Sequence, residues 1–206
     1  MMELLLLFAA GLATGLALCW LRINLSFPAQ SAEEYNSAVV ELDMRRHLSG
    51  KLVCEGAIFG PFGRVTSRFV ADFDCSWDGD KGQIRETFVY DSGETQERVW
   101  HVEIGQEGRV SARADDVVGV ATGFQAGSAV GMSYQLRLPE ASGGHLLDAT
   151  DWMYLLPNGS IVNRSQFRKF GITVAELVAT IRPVADANAS TEPAKPKTKT
   201  AMRTAA

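Results

Sequence analysis

The sequence predicts an all-β domain, an antiparallel barrel or sandwich, hung from an apolar N-terminal helix. Three observations carry that prediction. From Gly50 onward, short runs of alternating polarity are punctuated by glycine-rich turns, the pattern of strands with one buried face. Ahead of them, Leu4–Leu21 reads LLLLFAAGLATGLALCWL, eighteen positions without a charge, long enough to cross a bilayer as a helix. Beyond Val184 the chain reads ADANASTEPAKPKTKTAMRTAA, with almost no large apolar residue to order it. The expected organisation is an anchor or signal segment over 1–23, a linker with a short helix over 24–49, a β domain over 50–184 and a disordered tail over 185–206.

The N-terminal run has acidic Glu3 before it and Arg22 after it, so flanking charge does not orient it. Three fates stay open. It is a retained anchor, a lipoprotein signal ending at Cys19 despite bulky Leu18 where a small residue is usual, or a cleaved signal without a clear A-x-A site. Each carries the domain to a membrane or beyond it, with the periplasm as the expected compartment. Asn24–Ala32 is a polar linker. Ser31 followed by Glu34 matches a capping box and predicts a helix through Ala38–Leu48.

Ten strands follow: Leu52–Phe59, Val65–Trp77, Gln83–Tyr90, Gln96–Ile104, Arg109–Asp115, Val117–Thr122, Val130–Leu138, Leu146–Tyr154, Ile161–Arg168 and Ile172–Pro183. Pro157-Asn158-Gly159 marks a hairpin, because Asn and Gly both tolerate positive φ. The last run fits helical spacing as well as alternation, and a closing strand is predicted because every neighbour is a strand. Glycines at 119, 123, 127 and 131 read as turns and bulges in a curved sheet.

Composition excludes several function classes. The net charge is −4 and the basic residues are interleaved with carboxylates, so no nucleic-acid footprint exists. Cys19, Cys54 and Cys75 form no CxxC pair and the three histidines are scattered, so no metal site is expected. A turn at Pro61–Arg64 sets Cys54 opposite Asp72 and sends Cys75 to the other face of its strand, which argues against a disulfide unless a bulge intervenes. No cofactor fingerprint, P-loop or G-x-S-x-G elbow is present. The chain reads as more plausibly non-enzymatic, although a catalytic group assembled in space stays open.

One constellation remains. With a three-residue loop around Gly93, the face carrying Glu86, Phe88 and Tyr90 coincides with that carrying Gln96, Arg98 and Trp100, and Glu86 lies diagonally near Arg98, whereas a four-residue loop puts the two sets on opposite faces. In the first register a carboxylate, a guanidinium, a phenol and an indole project together and suit the polar end of an apolar ligand. The alternative is a structural ion pair at one end of the domain. Asp151, Trp152 and Arg164 complete the candidate binding set, with Asp151 expected to pair with Arg164 across a hairpin. Asp115 and Asp116, as strand neighbours, point to opposite faces unless a turn intervenes, and are expected to do structural work.

Several strings resemble one family of uncharacterised bacterial proteins: Phe88-Val89-Tyr90-Asp91-Ser92-Gly93, Arg98-Val99-Trp100, Ala114-Asp115-Asp116-Val117-Val118-Gly119, Asp151-Trp152-Met153-Tyr154, Asn163-Arg164-Ser165 and Lys169-Phe170-Gly171. In this order and spacing they resemble the domain of unknown function 3833. The resemblance implies a lipocalin-like (calycin-like) antiparallel β-barrel attached to a bacterial envelope, and no catalytic mechanism. By fold analogy it implies carriage of a hydrophobic or lipid-like small molecule. The competing expectations are an accessory protein whose solid barrel partners a lipid-modifying membrane enzyme, and an enzyme using Glu86, Arg98 and Asp151.

Overall fold

The computed structural model describes residues 2–36 and 40–184. Helix α1, Met2–Asn24, is uncharged from Leu4 to Leu21, and its described leucines stand exposed. Its stretch Met2–Leu21 is long and apolar enough to span a membrane.

Ten antiparallel strands form the domain: β1 Gly50–Phe59, β2 Val65–Asp78, β3 Lys81–Tyr90, β4 Thr95–Ile104, β5 Arg109–Arg113, β6 Val117–Ala126, β7 Ala129–Arg137, β8 Leu146–Leu155, β9 Ile161–Lys169 and β10 Ile172–Pro183. Each pairs with its sequence neighbours, and β10 returns to β1 with Leu52 opposite Pro183, closing the barrel. Closure leaves no sheet edge to aggregate. Alternation decides the inward face: Phe69, Ala71, Phe73 and Cys75 of β2 are buried while the residues between them are exposed. The ambiguous last segment is a strand, because β1 and β9 both offer it ladder bonds that a helix would leave unmet.

The ladder of β10 on β9 shifts register between Thr173 and Ala175, and two further bulges adjust the register elsewhere. One at Ile58/Phe59 shifts β1 against β2 by a residue, so Cys54 faces Ala71 and Cys75 faces Gly50. The expectation that Cys75 points away from Cys54 is therefore corrected: both are buried inside the barrel, offset along the strands, and both thiols are free. The other lies between Val118 and Thr122, where Gly119 adopts φ +79°.

The segment before the barrel is a strap. Ser31 and Glu34 do cap a turn, with the Ser31 N–H donating to Glu34 Oε1 at 2.8 Å, but the turn is a 3-10 turn over Ala32–Glu34. In place of the helix expected over Ala38–Leu48, the described part holds a single turn, α2 Met44–His47, with Asp43 accepting from the Arg45 N–H at 3.0 Å; residues 37–39 lie outside the described chain. Leu42, Met44 and Leu48 are buried and close one end of the barrel. Polar ties fix this cap: the Met44 N–H donates to Gln125 Oε1 at 2.8 Å, and the Trp77 indole N–H donates to the Leu48 carbonyl at 2.7 Å. The tail predicted over 185–206 lies outside the described residues.

Candidate functional site

Inside the capped barrel lies a cavity of about 120 Å³. Its walls are mostly apolar, from Phe73 and Phe88 on one side to Met132, Met153 and Leu177 on the other, with Met44 and Leu48 of the cap closing one end. The polar lining is confined to Glu86, Arg98, Tyr134, Asp151, Asn163 and Ser165, together with the Trp100 indole.

Strands β3 and β4 bring the first pair together. The turn after Tyr90 registers Glu86 directly opposite Arg98, closer than the diagonal relation expected. Arg98 Nη1 stands 4.0 Å from Glu86 Oε2. The same guanidinium donates through Nε, at 2.9 Å, and through Nη2 to Asp116 Oδ2. Asp116 reaches it from the β5–β6 turn, which frees it from strict alternation with Asp115. The other oxygen, Asp116 Oδ1, is buried and has no hydrogen-bond partner among the described residues. Arg98 also lies 5.7 Å from the centre of the Trp100 ring, which Tyr134 meets edge-on at 5.4 Å.

Across the cavity, Asp151 of β8 accepts from Ser165 Oγ at 2.8 Å and from Asn163 Nδ2. It does not pair with Arg164. Asn163 and Ser165 point inward, so Arg164 between them faces out, where it pairs with Glu176 at 2.7 Å and lies 4.4 Å over the Phe27 ring. Trp152 faces outward by the same alternation: it packs against Phe124 and against Tyr35 of the strap, at ring separations of 5.3 and 5.2 Å. Tyr90 shares the inward face of Glu86 but sits nearer the barrel end, donating to Gln96 Oε1 at 2.9 Å outside the cavity lining.

Of the seven candidates, the fold therefore gathers Glu86, Arg98, Trp100 and Asp151 around one space, leaves Tyr90 beside it, and turns Trp152 and Arg164 to the outer wall. Sequence reasoning missed Asp116, Tyr134, Asn163 and Ser165. The strict alternation of Asn163-Arg164-Ser165 around Arg164 was the available signal for two of them.

Burial governs the charges. Glu86 is lifted to about 7, chiefly by desolvation, with Arg98 pulling the other way and Asp151 and Asp116 adding repulsion. Asp151 is also raised by burial, against the bonds from Ser165 and Asn163. Three carboxylates thus face one guanidinium, and burial holds Glu86 protonated to higher pH than an ordinary carboxyl. Such a lining accepts hydrogen bonds from an amine or hydroxyl and donates through a protonated Glu86. Burial lifts the thiol of Cys54 to about 12, so this wall residue is held as the thiol. Among the described residues no group of three or more His, Cys, Asp or Glu is placed to hold a metal ion.

The wall is thin beside this cluster. β4 pairs with β5 only from His101 to Ile104, so Thr95–Trp100 bond to β3 alone. Arg98 and Asp116 meet where that pairing stops.

No curated protein matches the chain. Among solved structures, the S-type phycobiliprotein lyase CPES from Guillardia theta is similar in fold, with 8% identity and a TM-score of 0.48, over 77% of this chain and 96% of that one. The family model described as "Protein of unknown function (DUF3833)" matches residues 22–183. That match takes in the strap, the cap and all ten strands, and the chain belongs to this family.

Proposed function

We propose that this is a membrane-anchored envelope protein whose barrel takes up the polar end of a small amphipathic, lipid-like molecule. The observation that carries the reading is the charged cluster around the cavity. Desolvating three carboxylates and a guanidinium in a barrel core costs several kcal/mol per ion before pairing offsets it, and a solid apolar core would avoid that cost. Asp116 Oδ1, buried without a donor, supplies an acceptor for a ligand. The interruption of β4–β5 pairing beside Arg98 provides a lateral way in, with the apolar body of the ligand lying along the phenylalanine and methionine walls. The helix Met2–Leu21 supports the anchor; the periplasmic side for the domain is part of the same proposal.

The cavity volume favours a second reading. About 120 Å³ is room for roughly four waters, at about 30 Å³ each, and lies below the roughly 300–1,000 Å³ of ordinary ligand pockets. A barrel filled by its own side chains fits an accessory protein that partners a lipid-modifying membrane enzyme. Native mass spectrometry of the full-length protein released from membranes in mild detergent separates the two. A retained small amphiphile, lost in R98M and D116N, supports binding. An empty barrel in every preparation, with both variants folded and functional in cells, overturns it in favour of the accessory role.

A further inference from the structure

The ten-stranded barrel has two unlike ends. One is closed by Leu42, Met44 and Leu48, and its hairpin tips carry Asp80, Glu107 and Asn158. The opposite rim holds the turns after β1, β3, β5, β7 and β9. There two neighbouring hairpins, β1–β2 and β9–β10, push aromatic rings into the open. Phe62 and Phe170 are each 91% exposed, and Ile172 is 68% exposed. Because β10 pairs with β1, these tips lie side by side.

Phe170 is the more informative. It occupies the first position of a two-residue turn with φ +53°, followed by Gly171 at φ +76°. Asn or Gly takes that conformation readily, whereas a bulky aromatic there costs on the order of 1–3 kcal/mol. The chain carries this strain to display a ring that touches no core. Cations stand with the rings: Lys169 lies 5.7 Å from the Phe170 ring centre, Arg64 sits in the turn beside Phe62, and Arg168 is two residues before Phe170. Carboxylates share this rim: Asp91 of the neighbouring β3–β4 turn is paired with Arg68 of β2 at 3.3 Å, Glu94 lies in that same turn, Glu140 lies in the β7–β8 turn, and Asp115 lies in the β5–β6 turn away from both aromatic hairpins.

The strap shows where α1 joins. Ser26–Ala29 border a groove with Gln166, Arg168, Gly171 and Thr173 at the base of the β9–β10 hairpin. From there the strap runs down the barrel wall, with Gln30 bonded to Tyr154, until Leu42 bonds the Gly127 carbonyl at the capped end. The apolar helix therefore leaves the barrel beside the rim that carries Phe62 and Phe170, and not beside the capped end.

We infer that this lip is a membrane-docking surface: Phe62, Phe170 and Ile172 insert among the headgroups of an anionic bilayer, with Arg64, Arg168 and Lys169 on the lipid phosphates. Aromatic rings with flanking cations suit that interface, where an apolar body and a charged tip are both satisfied. The barrel then lies rim-down on the leaflet from which α1 emerges, with the α2 cap farthest from the lipid. The inference rests on the anchor reading of α1, and the test separates the two.

The full-length protein is reconstituted in vesicles of phosphatidylethanolamine and phosphatidylglycerol containing a nitroxide-bearing phosphatidylcholine. A thiol-reactive, polarity-sensitive fluorophore is placed at native Cys19, and separately at F62C, F170C or N158C in a C19S background. Labels at 62 and 170 are expected to shift to the blue and lose intensity to the lipid-borne quencher, while the label at 158 on the capped end stays water-like and unquenched. Hydrogen exchange of the unsubstituted protein checks this without new cysteines, with residues 61–64 and 169–172 slowing when phosphatidylglycerol replaces neutral lipid. If Cys19 is quenched while 62 and 170 behave like 158 and exchange is unchanged, docking is overturned and the anchor stands. If Cys19 is unquenched, both fall.

Discussion

Glu86 links burial to acid–base behaviour at the scale of one residue. Its carboxyl is lifted from about 4.5 to about 7 because the folded barrel desolvates it. Between those values the native state holds more protons than the unfolded chain, so stability falls as pH rises through the window. The loss is on the order of 3 kcal/mol once pH exceeds 7. Replacing Glu86 with Gln should flatten that slope and make the variant the more stable protein at pH 8, as measured by urea denaturation from pH 4.5 to 8. A wild-type slope that survives in E86Q would assign the titration elsewhere. The cysteines give a second outcome at this scale. Cys19 is exposed, whereas Cys54 and Cys75 are buried with thiols raised to about 12, chiefly by desolvation. A maleimide at pH 7.5 should modify Cys19 alone in the folded protein, and all three after denaturation, as counted by intact mass.

At the scale of the element, the strap does what its sequence only hinted. The capping box at Ser31 and Glu34 forms, yet no long helix grows from it, because the barrel wall supplies better partners. Tyr35 packs on Trp152 and Tyr154, and Leu42 reaches the Gly127 carbonyl. Gly127 turns the β6–β7 hairpin at φ +48°, and a Cβ there would overlap the Tyr35 carbonyl. Gly127→Ala should therefore lower stability by about 3 kcal/mol, through both backbone strain and loss of the strap's seat. Leu42 is fully buried under the cap, and Leu42→Ala should cost about 2–5 kcal/mol. Thermal melts of both variants check these values, and unchanged melting would mean that the strap is not part of the folding unit.

For the whole molecule, closure of β10 on β1 makes every strand dependent on the rest, so unfolding should be a single transition for residues 42–183. Hydrogen exchange should show the β5 neighbourhood opening first, because its five-residue strand leaves half of β4 without a second partner. Slow, uniform protection across β4–β6 would contradict that expectation and remove the lateral way in.

Alternation along the chain was enough to place the first nine strands, because inward and outward residues of a half-buried strand differ in polarity locally; the tenth, equally compatible with helical spacing, followed from its neighbours. The same rule narrowed Glu86 and Arg98 to one shared face or two opposite ones according to loop length, and the observed register of β3 on β4 chose the shared face. The family strings pointed to the correct barrel class because they lie on the strands and turns that build it. What lay beyond the sequence was everything fixed by distant pairing. A bulge at Ile58/Phe59 moved Cys75 to the interior face. Asp116 joined Arg98 only because the β5–β6 turn folds toward β4, and Trp152, which faces outward by alternation with Asp151 and Met153, is buried only because the strap lays Tyr35 over it. Local polarity is written in consecutive residues. The contents of a closed barrel depend on registers and turns summed around ten strands, and those are decided only when the last strand meets the first.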